Sequence, residues 1–223
     1  MDYSVLNKSV LFSGIPANEV RSAMESVPHH IECYDKDEII FHLMEKADRI
    51  GIILDGRLEA QKPFRNGSQV NVVIKGPGEM TGPAAAFSSR HVYPCDVVAI
   101  TPATLVMFSK EDILMLLQKD IRILNNFITE IASATFLLQQ RLELFSYSGI
   151  SQKAAFYLLS RMRLSGGNTI PVPESMTNFA MLMNVSRSSL HRELKKMDTA
   201  GVIKYSSHSI TVLNPEKLQD YLN

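Results

Sequence analysis

The chain has 223 residues, equal numbers of acidic and basic side chains, and two cysteines. That length allows a sizeable core and two domains at about 100–200 residues each, and two thiols cannot build a disulfide framework or a four-cysteine iron–sulfur site. Apolar runs such as Ile113 to Leu117 fall far short of the roughly 20 residues of a membrane span, and MDYSVLNKSVLF lacks the pattern of a signal peptide. A cytoplasmic protein without membrane contact is expected.

Pro16 to Met24 reads as a short helix. From about His29 to Ser109 the pattern changes to short β-rich runs divided by turn residues: RIGIIL before Asp55-Gly56, RLEAQKPF before Asn66-Gly67, SQVNVVIK after it, then GPG at Gly76 to Gly78. Asp-Gly and Asn-Gly supply the positive φ of tight hairpin turns. Asp96–Ile100 and Thr104–Ser109 read as the last strands. Many short strands at regular spacing predict a closed or two-sheet β structure, a jelly roll or barrel.

From Lys110 the period becomes helical. Ile113, Leu116 and Leu117 belong to a short helix. A long helix follows over about Asp120 to Tyr147, without Gly or Pro. Ile121, Leu124, Ile128, Ile131, Thr135, Leu138, Leu142 and Phe145 alternate at three and four, which is a coiled-coil seam. Ile123, Phe127, Ala134, Leu137 and Leu144 make a second apolar stripe. A surface helix needs one stripe, so two predict that this helix packs on its own β domain and on a second copy of itself. Leu124, Ile128, Ile131, Thr135, Leu138 and Leu142 are the expected dimer contacts. The domains expected are 1–119, a β jelly roll; 120–147, a dimerisation helix; and 148–223, a smaller C-terminal domain, so the fold class is α+β.

From Ser148 onward there are nine basic and five acidic residues, an excess of four. This points the small domain toward an anionic partner. A helix runs to about Leu164, Ser165-Gly166-Gly167-Asn168 ends it, and Ile170 to Val172 is extended. Ser175 or Thr177 can cap the next helix, which runs through Met183. MTNFAMLMN followed by VSRSSLHRELKKM then reads as helix, tight turn, helix. Ala180 is small enough for a close crossing, Asn184 tolerates a left-handed turn, Val185 and Leu190 wedge between the helices, and Ser186 caps the second. On that helix Leu190, Leu194 and Met197 share an apolar arc, while Arg187, Ser188, His191, Arg192 and Lys195 share an exposed one. Such a helix fits the DNA major groove, where Arg reads guanine and Ser and Lys suit phosphate or base contacts. Val202–Tyr205 and Ser209–Leu213 alternate like the two strands of a wing. The competing interpretations are an amphipathic bundle helix with a solvated basic face and a winged helix used for protein contacts.

These motifs resemble the Crp/Fnr family of bacterial transcription regulators over nearly the whole chain. SRSSLHRELKKM is similar to the family's recognition helix, with Arg187 and Arg192 at its two arginines and Lys195 one turn on. Ser188 stands where a Glu is common and His191 where the residue is small, so an unusual operator is implied. The resemblance implies a cyclic-nucleotide-binding-like jelly roll, a dimer helix and a winged helix-turn-helix. It also implies a homodimeric DNA-binding regulator with RNA polymerase as a further partner and a small-molecule effector in the β domain.

The sensing residues depart from that pattern. The family's ribose-binding Glu is replaced by Pro83, its phosphate-binding Arg-Ser pair by Tyr93 and Pro94, and its adenine-facing Thr-Ser pair by Leu138 and Gln139. Pro offers neither charge nor N–H, and a phosphate buried without donors is costly, so cyclic AMP is not expected. Gly82, Pro83, Ala84, Ala85, Tyr93, Cys95, Leu138 and Gln139 are the candidate effector pocket, suited to a small apolar or aromatic molecule or to none. Haem is the alternative cofactor, with His29, His30, Cys33, His42, His91 and Cys95 as candidate axial ligands. An iron–sulfur cluster is not expected. The chain lacks a His-x-His cupin pattern, a GxxxxGK loop and any recognisable catalytic constellation, so it is not expected to be an enzyme.

Overall fold

The computed structural model describes residues 5–63, 69–173, 175–206 and 208–222. The chain divides into two compact units, Met1–Ala134 and Thr135–Asn223, and the division falls inside the long helix. Among the described residues no helix is long and apolar enough to cross a membrane.

The first unit begins with two 3-10 turns, Leu6–Lys8 and Val10–Phe12, and helix α1 (Ala17–Glu25). Among the described residues eight strands follow: β1 (His30–Tyr34), β2 (Ile39–Phe41), β3 (Arg49–Asp55), β4 (Leu58–Pro63), β5 (Gln69–Lys75), β6 (Met80–Thr81), β7 (Asp96–Ala99) and β8 (Ala103–Ser109). They form two antiparallel sheets, β1-β8-β3-β6 and β2-β7-β4-β5, as a jelly roll requires. Helix α2 (Pro83–Ala86) interrupts the strands, and α3 (Lys110–Lys119) closes the series.

The first sheet is covered on both faces. Ile53, Leu105 and Met107 meet Phe41, Leu58, Val97 and Ala99 of the other sheet in one core. Ile50, Ile52, Val106 and Phe108 face a second core with Leu11, Phe12, Val20, Met24, Ile113 and Leu117. Double burial explains why RIGIIL and TLVMF are nearly continuous apolar runs rather than alternating ones.

The Asp55-Gly56 turn is not a hairpin. Its flanking strands lie in different sheets, β3 beside β6 and β8, β4 beside β5 and β7. Positive φ is nonetheless required, at +86° for Gly56, and a Cβ there would meet the Pro102 carbonyl oxygen at 2.3 Å. The turn residue was legible from chemistry, but the sheet change depends on distant partners. Strands β4 and β5 do form a hairpin, from Leu58↔Lys75 to Pro63↔Gln69; its Asn66-Gly67 turn lies outside the described residues.

Helix α4 (Ile121–Ser146) is the predicted long helix. Ile123 and Phe127 are buried in the helix-covered core, and Phe127 meets Phe87 edge-on at 5.3 Å. Asn126 Nδ2 donates to the carbonyls of Leu11 (3.0 Å) and Ser13 (2.9 Å). Arg122 pairs with Glu19 and Asp120, which raises the guanidinium pKa and lowers the Asp120 carboxyl. Leu124 and Ile131, on the predicted dimer seam, pack partly on their own unit. Ile128, Thr135, Leu138 and Leu142 are exposed, as are Ala134 and Leu137 of the second stripe.

The second unit contains α5 (Ile150–Ser165), β9 (Thr169–Pro171), α6 (Met176–Leu182), α7 (Arg187–Thr199), β10 (Ile203–Tyr205), β11 (Ser209–Val212) and α8 (Pro215–Asp220). Its core joins Ala154, Leu158, Phe179, Leu190, Leu194 and Ile210. The extended piece near Ile170 is a third strand, giving the sheet order β10-β11-β9.

Candidate nucleic-acid interface

Helices α6 and α7 are set by their caps and the turn between them. Ser175 Oγ accepts the Asn178 N–H at 3.1 Å, so Ser175 rather than Thr177 is the first cap. Asn184 has φ +52°, the left-handed conformation its side chain tolerates. The Val185 N–H returns to the Ala180 carbonyl at 3.0 Å, and Ala180 and Leu190 are buried at the crossing. Ser186 Oγ accepts the Ser189 N–H at 3.1 Å and caps α7. The sequence reading missed Lys153 of α5, whose Nζ donates to the Met183 carbonyl at 3.2 Å and satisfies the end of α6. A lysine contact of this kind, between residues distant in sequence, leaves no local signature.

Leu190, Leu194 and Met197 hold α7 in the core. Arg187, Ser188, His191, Arg192 and Lys195 are all exposed. At about 100° per residue they spread over roughly 140° of the helix, clear of the buried arc. Among the described residues no carboxylate lies in ion-pair range of Arg187, Arg192 or Lys195, whereas Lys196 is held by Glu193 at 2.8 Å. Lys196, Thr199 and Ala200 extend the same face, lining a shallow depression with His191, Arg192 and Lys195. Lys196 and Thr199 stand one turn beyond Arg192 and Lys195, and that spacing was the available signal.

The wing is tied to this helix. Tyr205 donates its backbone N–H to Asp198 Oδ1 at 3.1 Å, and its ring meets His191 edge-on at 5.7 Å. Strand β10 pairs with β11 from Ile203↔Val212 to Tyr205↔Ile210. The surface can therefore present a basic helix and an adjoining hairpin to a polyanion.

The candidate effector residues are distributed unevenly. Gly82, at φ +87°, abuts Phe41 and the Arg49 carbonyl; a Cβ there would lie 2.8 Å from that oxygen. Pro83 and Ala85 are buried, Ala84 faces solvent, and Cys95 is half-buried. Burial, then Asp96, raises the Cys95 thiol pKa. Leu138 and Gln139 are exposed and belong to the second unit. Tyr93 is 2% exposed, stacked on Phe41 at 4.2 Å and 8°, with its hydroxyl donating to the Arg49 carbonyl at 2.8 Å. A phosphate does not fit these residues: Tyr93 contributes a buried ring, and Arg49 beside it lies near Glu32 (3.7 Å) and Glu45 (3.8 Å). Of the possible axial ligands, His29 Nδ1 lies 3.0 Å from the Val27 carbonyl and His30 lies 3.1 Å from Glu32. Cys33, His42 and His91 are exposed.

Comparison with known proteins agrees with both units. The cyclic nucleotide-binding domain model matches residues 31–120, and the Crp-like helix-turn-helix domain model matches residues 152–221. The chain is 23% identical to the probable transcriptional regulator flp of Lacticaseibacillus casei, over 92% of each chain. It is 21% identical to the cyclic AMP receptor protein of Thermus thermophilus, over 95% of this chain and 96% of that one. In fold it is similar to the Thermus thermophilus catabolite activator protein, with a TM-score of 0.56 at 20% identity over 96% and 98% of the two chains. A CooA variant from Carboxydothermus hydrogenoformans gives a TM-score of 0.62 at 12% identity over 96% and 94%. The chain belongs to the Crp/Fnr family of DNA-binding transcription regulators, with a cyclic-nucleotide-binding-type domain preceding its helix-turn-helix.

Proposed function

We propose that this regulator acts as a homodimer, and that each copy lays α7 in the major groove of one half-site, with Arg187 and Arg192 reading base edges. The observation that carries this reading is the exposed basic arc of α7, free of ion-pairing carboxylates among the described residues and anchored by buried Leu190, Leu194 and Met197. A guanidinium engaged by a carboxylate would have to break that pair before meeting guanine; these two do not. Ser188 and Lys195 suit phosphate contacts, and His191, braced by Tyr205, lies within the arc between Arg187 and Arg192. Two half-sites about one DNA turn apart, roughly 34 Å, match a two-fold dimer. The exposed Ile128, Thr135, Leu138 and Leu142 support α4 as the dimer helix. RNA polymerase is the further partner of such a regulator.

The test is selection of operators from a randomised duplex library, followed by fluorescence anisotropy on the chosen site. Replacing Arg187 or Arg192 with Ala is expected to weaken the site by about 1–3 kcal/mol per lost base contact and to relax one position. Lys195→Ala is expected to weaken all sequences alike and to lower the salt slope by about one. Unchanged affinity in a folded Arg187→Ala/Arg192→Ala protein overturns the reading.

A further inference from the structure

Tyr93 heads the large side chains buried among the described residues, yet it enters the jelly-roll interior from a connection outside the named strands. Its backbone is fixed from both sides. The Tyr93 N–H donates to the Glu45 carbonyl at 3.0 Å, and its own carbonyl accepts the Met44 N–H at 2.9 Å. The ring lies flat on Phe41, whose neighbourhood also holds the Arg49 guanidinium, 5.6 Å from the Phe41 centroid. The hydroxyl is satisfied by a single residue, donating to the Arg49 carbonyl and accepting the Arg49 N–H at 3.3 Å. Gly82 approaches the same Phe41 and Arg49. A planar ring with one polar end, held by stacking and two backbone groups, has the recognition chemistry of a bound small aromatic molecule.

We infer that Tyr93 is a built-in ligand of the β domain: its phenol ring takes the place of a diffusible effector, and DNA binding proceeds without one. This rests on the Crp-type reading, in which the β domain governs the DNA-binding state. A ligand shifts an equilibrium only by binding one state better, and a covalently attached ring contributes that preference at all times.

The test uses the full chain and an operator duplex selected with it. The ligand-free wild type is expected to bind this duplex, with added cyclic AMP or phenol changing affinity by less than about twofold. Tyr93→Gly is expected to melt earlier and to lose about tenfold or more in DNA affinity, and phenol, entering the vacated apolar cavity, is expected to restore both. Tyr93→Phe keeps the ring and stays near wild type in DNA affinity, losing only the stability of the hydroxyl's bonds to Arg49. A folded Tyr93→Gly protein that holds DNA like the wild type, unmoved by phenol, overturns the inference. So does a wild type that selects no duplex until a small molecule is added. Should Tyr93→Gly not fold, Tyr93→Leu restores apolar volume without a planar ring, and wild-type affinity in that variant overturns the inference equally. Arg187→Ala/Arg192→Ala separates the two readings: retention of the duplex there refutes the DNA face and leaves the Tyr93 comparison standing.

Discussion

Leu142 offers the sharpest quantitative test of the dimer helix. Its side chain is 71% exposed on α4, so its own chain gives it little packing to lose. Leu142→Ala removes three carbons, worth about 2.4 kcal/mol if fully buried at about 0.8 kcal/mol per CH₂. Scaling by the exposed share, 71%, leaves about 1.7 kcal/mol per copy and about 3.4 kcal/mol for two copies, roughly a 300-fold weaker dimer. Sedimentation equilibrium over a concentration series measures that constant directly. Monomer stability, read by urea unfolding at low concentration, is expected to change by less than about 0.5 kcal/mol. A dimer constant within about threefold of wild type would place the interface elsewhere, and a loss of monomer stability of about 2 kcal/mol would show Leu142 to be a core residue.

Other predictions follow from single residues. Asn184→Val is expected to cost about 1–2 kcal/mol because of the left-handed φ, while Asn184→Gly is neutral or slightly stabilising; thermal melts of the two variants check this. Burial holds the Tyr93 phenol up to about 12 from its ordinary 10.0, against the opposing hydrogen bond at Arg49. Its raised value means that its contribution is complete below 10.0 and fades as pH rises through about 12, so the stability gap between wild type and Tyr93→Phe should narrow over that window; urea unfolding at several alkaline pH values tests the sign. Cys33 is exposed whereas Cys95 is half-buried with a raised thiol pKa, so iodoacetamide should modify Cys33 about tenfold faster, as read by peptide mass.

Where the sequence was legible, local chemistry decided the outcome. Asn184 and Ser186 announce a turn and a cap by their own side chains, and the buried and exposed arcs of α7 follow from helical spacing alone. The sensing region was read less well because its geometry depends on partners far along the chain. The run Pro83 to Ala86 suggested a cavity lined by small residues, yet the neighbouring Tyr93 ring occupies the interior against Phe41, a partner 52 positions earlier. Heptad spacing places Leu124 and Ile131 on the expected dimer seam, and both also pack partly on the core of their own unit. Spacing identifies a face, and the α1 and α3 core packed beside that face decides what covers it.

The position of β8 has a consequence for biosynthesis. It lies between β1 and β3, so Tyr34 waits for Ala103 and Arg49 for Ser109. An emerging chain that stops before residue 103 leaves β1 and β3 without their shared neighbour. The β1-β8-β3-β6 sheet therefore closes late, with a long window for chaperone capture. Strand β9 needs only to reach β11, and the DNA-binding unit can assemble promptly once its last residues are made.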